Sequence, residues 1–220
     1  MLINTAGGLT GGDAFSLAAE AEAETQLTLT TQAAERAYRA QPNQQARVQN
    51  HISVKRGARV NWMPQETILF QGSALLRNLR IDMGAEATAL VVEPLVFGRA
   101  AMGETLTDVS FSDKIEIYRG GALAYLDTVQ FQGDLSAHMA RPFTGAGAGA
   151  MANVVLAAPN AEAWLEPVRA MLGPTAGASL LKQDILVLRL LAADSYLLRQ
   201  TLIPVLNLLT NNALPRCWMT

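Results

Sequence analysis

The sequence predicts a mainly β protein of layered β-helical (solenoid-like) or sandwich-like strands, with two α-helices near the C-terminus. Three observations predict it. Apolar and polar residues alternate through much of residues 17–143, Gly-Ala pairs recur between the alternating runs, and helical apolar stripes appear only beyond residue 160. With 220 residues, 50% of them hydrophobic and 16% charged, the chain can bury a substantial core as one domain spanning 1–220.

The elements follow in order. Residues 26–31, "QLTLTT", alternate with a period of two, the mark of a half-buried strand, and 48–54, 58–63 and 76–83 do the same. Residues 89–97, "ALVVEPLVF", are continuously apolar, which predicts burial on both faces with a bend at Pro94. Alternation returns at 115–118 and 123–131. Gly57-Ala58, Gly84-Ala85 and Gly121-Ala122 each sit between two such runs, the grammar of a tight strand–turn–strand connection with glycine at positive φ. A helix is expected over 161–172, capped by Asn160, with Ala163, Trp164, Val168 and Met171 inward and Gly173-Pro174 as its stop. Residues 184–192 read as a buried strand. Asp194 caps a second helix over Ser195–Leu209, kinked at Pro204, with Leu197, Leu198, Leu202, Val205, Leu206 and Leu209 inward.

Composition removes several classes of function. A net charge of -2 leaves no basic footprint for nucleic acid. Cys217 is the single cysteine, so no intramolecular disulfide framework exists and a reducing, cytoplasmic setting is the default. Neither a signal-peptide pattern nor a membrane-length apolar run is present.

The opening "GGLTGGD" (residues 7–13) has the outer glycine spacing of a phosphate loop, yet Asp13 stands where the loop's lysine belongs and would repel phosphate. The reading is a glycine-rich turn with Asp13 bonding nearby backbone amides. His51 and His138 lie far apart, and no HxxxH or CxxC occurs, which argues against a closed transition-metal site. Carboxylates can still line a weak, transient path for a dication; Glu66, Glu93 and Asp127 stand in or beside apolar strands, where an acid is costly. The plainer alternative pairs each acid with an arginine or turns it to solvent. A rival reading remains open, a β-layered enzyme acting on a polymer such as a glycan through paired Glu66 and Glu93.

Five segments in order resemble the urease accessory protein family UreD, called UreH in some species: "GGLTGGD", "TTQAAERAYRA" (30–40), "WMPQETILFQGS" (62–73), "FGRAAMGE" (97–104) and the closing "LPRCWMT" (214–220). The resemblance implies a non-catalytic scaffold that binds apo-urease and, with UreF and the GTPase UreG, supports nickel delivery. It implies no tightly bound cofactor, with Ni2+ carried transiently by oxygen ligands, because a relay must release its cargo. Candidate conduit acids are Asp13, Glu66, Glu93, Glu104 and Asp127. Motif residues expected to serve structure are Gly7, Gly8, Gly11, Gly12, Tyr38, Arg39, Pro64, Gln65, Gly98, Arg99, Gly103, Pro215, Arg216 and Trp218. Leu198, Leu202, Val205 and Trp218 are expected at the partner interface. Family members carry a longer stretch before the glycine motif, so the resemblance also implies an N-terminally shortened chain with an unpaired sheet edge.

Overall fold

The alternating runs form strands, and the strands stack as coils. A computed structural model describes residues 1–219. The first coil comprises β1 (Ala14–Ala21), β2 (Gln26–Leu29) and β3 (Glu35–Ala37); the second comprises β4 (Ala46–Val54), β5 (Arg59–Trp62) and β6 (Thr67–Leu69). In the third, β7 (Ala74–Met83) is followed by the long β8 (Thr88–Phe97), which pairs with both β5 and β6. Strands in equivalent places pair in parallel: β1 with β4, β4 with β7, and β7 with β9 (Val109–Arg119). Corner amides continue the stack, Lys55 N donating to Ala21 O at 2.9 Å and Gly84 N to Val54 O at 2.8 Å.

Beyond the coils the pairing becomes antiparallel. β10 (Ala122–Gly133) folds back on β9 and completes a five-stranded sheet. The opposite sheet is extended from β8 by β11 (Ala150–Ala157), β13 (Ile185–Ala192) and β12 (Ala176–Lys182). Helices α1 (Leu135–Ala140), α2 (Leu165–Arg169) and α3 (Ser195–Leu209) complete the chain, and α3 packs on β11 and β13. The molecule is therefore solenoid-like in its first half and a two-layered sandwich beyond it. Ile52, Leu79, Val91 and Ile117 fill one core between the sheets, and Leu69, Leu75, Leu95 and Phe111 fill another. A third core lies between the outer face of the second sheet and α3, from Leu90 and Val154 to Leu202 and Trp218.

Three expectations change. Only Gly121-Ala122 opens a hairpin; Gly57-Ala58 and Gly84-Ala85 turn corners from one sheet to the other. At the stacked corners the positive φ falls on Glu24, Gly57 and Glu86 rather than on Gly84. The helix expected over 161–172 is a 3-10 turn, Ala161–Trp164, followed by the short α2. Pro167 is the cause, because without an N–H it fits only the first turn of a helix. Asn160 makes no side-chain cap, and Met171 is exposed. By contrast α3 occupies Ser195–Leu209 with Asp194 accepting from Leu197 N at 2.8 Å. No helix among the described residues is long and apolar enough to cross a membrane.

Candidate functional site

Four motifs that lie far apart in sequence meet at one corner of the stacked coils. Gly8 lies against Tyr38; a Cβ on Gly8 would sit 2.4 Å from the Tyr38 ring, so only glycine fits. Tyr38 Oη donates to Gly7 O at 3.3 Å, and Thr10 Oγ1 donates to Arg39 O at 3.0 Å. Gly11 approaches Ala40, and Gly12 holds a φ of 90° as the chain turns into β1. Asp13 closes this turn by accepting from Thr10 N at 2.8 Å, so the opening stretch is a backbone device. Next in the stack, Tyr38 meets Phe70 edge-on, and the Arg99 guanidinium lies over the Phe70 ring at 4.4 Å.

Glu104 ties that corner together. It accepts from Arg99 N, Nε and Nη2 and from Gln71 N, at 2.9 to 3.1 Å. The Arg99 bonds, followed by those two backbone amides, hold its carboxyl at about 2. Gly98 and Gly103, both at positive φ, bound the loop that this carboxylate braces.

A second meeting point joins the middle motif to the C-terminal tail. Arg199 of α3 donates to Gln65 Oε1 at 3.0 Å, to Glu66 Oε1 at 2.9 Å and to Trp218 O at 2.9 Å. Trp218 Nε1 donates to Met63 O at 3.0 Å, and Pro215 caps the 3-10 turn that carries Arg216 and Trp218. Here an expectation is corrected: Leu198, Leu202, Val205 and Trp218 are at most 1% exposed, and they fill this chain's own core instead of facing a partner. Apolar periodicity alone does not say whether a neighbour within the chain or outside it covers a helix face.

The third assembly is a polar seam that crosses the sandwich between the two inter-sheet cores. Arg77 of β7 donates from Nε and Nη2 to both oxygens of Asp113 on β9, at 2.9 and 2.7 Å. Its Nη1 lies 2.7 Å from Glu93 Oε2 on β8 and donates to Thr67 Oγ1. Trp62 Nε1 donates to Glu93 Oε1 at 2.7 Å. Further along, Asn153 of β11, the register partner of Glu93, donates to Asp127 at 2.6 Å, and Arg189 of β13 donates to the same oxygen at 2.8 Å.

One guanidinium thus faces two buried carboxylates. Asp113 takes the bidentate pair, and Glu93 is left with one arm of Arg77 and the indole. Burial raises the Glu93 carboxyl to about 7, opposed by Arg77 and reinforced by Asp113. For Arg77 burial favours loss of the proton, but the two carboxylates outweigh it and keep the cation. From the open end of the coils, a cleft of about 510 Å³ reaches the seam and is lined by Phe15, Leu17, Asn50, Trp62, Gln65 and Arg77. Gln65 Nε2 is buried beside it without a hydrogen-bond partner.

The five candidate acids are therefore not gathered into one path. Glu66, Glu93, Glu104 and Asp127 are each paired with an arginine, and Asp13 stays on its own turn. Among the described residues, no three His, Cys, Asp or Glu side chains are grouped to hold a metal ion. Glu66, just before β6, pairs with Arg199 of α3, whereas Glu93 of β8 pairs with Arg77 in the seam, so they form no acid pair across a groove. Sequence reasoning missed Arg77 and Asp113. Both sit at inward positions of alternating strands, in phase with Leu75 and Leu79 and with Phe111 and Ile115, and that phase was the available signal.

The fold and these meeting points define a class: a β-coil scaffold whose motif residues brace backbone and loops, with acids held by arginines. The chain belongs to the UreD urease accessory protein family, whose family model matches residues 1–219. It is 57% identical to the urease accessory protein UreD of Ruegeria pomeroyi over 218 residues, covering 99% of this chain and 85% of that protein. Against UreD of Roseobacter denitrificans the identity is 48%, covering 99% of this chain and 80% of the relative. Against UreD of Mesorhizobium japonicum it is 41%, covering 99% and 79%. Its role accordingly lies in urease maturation.

Proposed function

We propose that this chain is a non-catalytic scaffold of urease maturation that binds apo-urease, assembles with UreF and the GTPase UreG, and passes nickel onward through its interior without retaining it. The observation that carries the nickel part is the polar seam between two apolar cores, where Glu93 and Asp113 are buried, Asp127 is partly buried, and a cleft reaches their partners Arg77 and Trp62. Buried acids cost stability unless a partner or a purpose holds them. Their arginine partners make them poor traps for a dication, which suits a cargo that must be released. Asp13, Glu66 and Glu104 serve structure in this reading.

Co-expression with UreF, UreG and apo-urease, supplied with nickel and bicarbonate, tests it. The expected outcome is a co-purifying complex and active urease. A folded chain that binds none of these proteins and leaves urease inactive overturns the scaffold. For the conduit, the double substitution Glu93→Gln and Asp127→Asn is expected to lower activation several-fold at unchanged complex yield. Unchanged activation removes the conduit and leaves the scaffold standing.

A further inference from the structure

One surface is built with more reinforcement than this chain's own packing uses. The 3-10 turn Ala100–Met102 buries none of its residues, and Met102 is 73% exposed at its tip. Even so, four hydrogen bonds to the single Glu104 carboxylate fix the loop that carries it. Arg99, at the base of the loop, holds its guanidinium over the Phe70 ring, and Phe70 meets the exposed Tyr38 at 5.0 Å between ring centroids. Preorganisation of this kind lowers the ordering cost of binding, and it does nothing for a core the loop never enters.

The charge of this face points to what covers it. Arg36 and Arg39 flank Tyr38, both exposed, and neither makes an ion pair among the described residues. The acids at hand are already engaged, Glu104 by Arg99 and Glu35 by Asn4. The chain as a whole carries -2, yet this face sets Arg36 and Arg39 beside the exposed Tyr38 with no acid at hand among the described residues left to neutralise them. Tyr, Arg and Met are the residue types enriched where protein interfaces concentrate their energy.

We infer that Arg36, Tyr38, Arg39, Phe70, Arg99 and Met102 form a docking surface for a protein partner whose contact segment presents an apolar side chain flanked by carboxylates. Met102 and the Tyr38–Phe70 pair receive the apolar group, while Arg36 and Arg39 receive the acids and steer the approach. The inference rests on the scaffold reading, since it supplies that scaffold with one of its contacts.

The test is the triple variant Arg36→Glu, Arg39→Glu, Met102→Asp, with far-UV circular dichroism and a thermal melt to establish that it folds. Each of UreF, UreG and apo-urease is co-expressed separately with wild type and variant. The expected result is loss of at least one wild-type complex by about tenfold or more, and weakening of that wild-type complex at about 0.5 M salt. A photo-crosslinker at position 102 of the otherwise wild-type chain is expected to capture the same protein. Retention of every wild-type complex by the folded variant overturns the docking surface and leaves the scaffold intact. A wild type that binds none of the three overturns the scaffold, and the surface falls with it. A wild-type homodimer that the variant converts to monomer assigns the face to a second copy and overturns the partner named here. Should the triple variant fail to fold, Met102→Asp alone, on the exposed tip, is read in the same way.

Discussion

At the scale of single residues, Glu93 is where the chain's pH response concentrates. Its carboxyl moves from 4.5 in the unfolded chain to about 7 in the fold. Between those values the folded protein holds a proton that the unfolded chain has lost, so this contribution is complete below about 4.5 and disappears as the pH rises through 7. Glu104 works in the opposite sense, contributing above 4.5 and losing its contribution as the pH falls through about 2. Melting temperatures between pH 5 and 8 are expected to decline for wild type and to stay flatter for Glu93→Gln; identical slopes would refute the assignment. Gly8→Ala, whose new methyl meets the Tyr38 ring, is expected to cost about 1–3 kcal/mol in denaturant unfolding. Which glycines matter was legible in the opening motif, but not why. The ring that excludes a side chain at Gly8 lies thirty residues further on, and no local pattern encodes that contact.

At the scale of elements, the C-terminal tail and α3 form one unit with the middle of the chain. Arg199 and the fully buried Trp218 join the tail to Met63 and Glu66, so the last residues act as a core element despite having little regular structure. Trp218→Ala is expected to cost about 3–5 kcal/mol, measured by denaturant unfolding, and to make the tail the first site of limited proteolysis. A loss below about 1 kcal/mol would show that the indole is not part of the core. Strands were legible where one face is buried, because alternation records that directly; α3 was legible from its cap and stripe. The apolar spacing over 161–172 suggests one helix, but Pro167 limits it to a 3-10 turn and the short α2. The Gly-Ala corners share the local pattern of a hairpin because a turn's sequence fixes its backbone bend but not which sheet receives the next strand. The acids were legible as anomalies, whereas their arginine partners sit on other strands and appear only once the register is known.

At the scale of the whole molecule, β1 and β10 are the edges of one sheet and β2 and β12 the edges of the other, while β8 and β11 lie in the middle of theirs. Hydrogen exchange is therefore expected faster in the edge strands β1, β2, β10 and β12 and slowest in β8 and β11; uniform protection would contradict the stacked arrangement. The position of β8 has a consequence during synthesis. Its parallel neighbours, β5 and β6, leave the ribosome before it, but its antiparallel neighbour, β11, begins only at Ala150. For that interval the growing chain presents a ten-residue, almost wholly apolar strand with one side unpaired, which invites neighbouring chains to add on. Soluble yield is therefore expected to depend on how fast translation reaches β11, rising at low growth temperature and with chaperones that shield nascent edges.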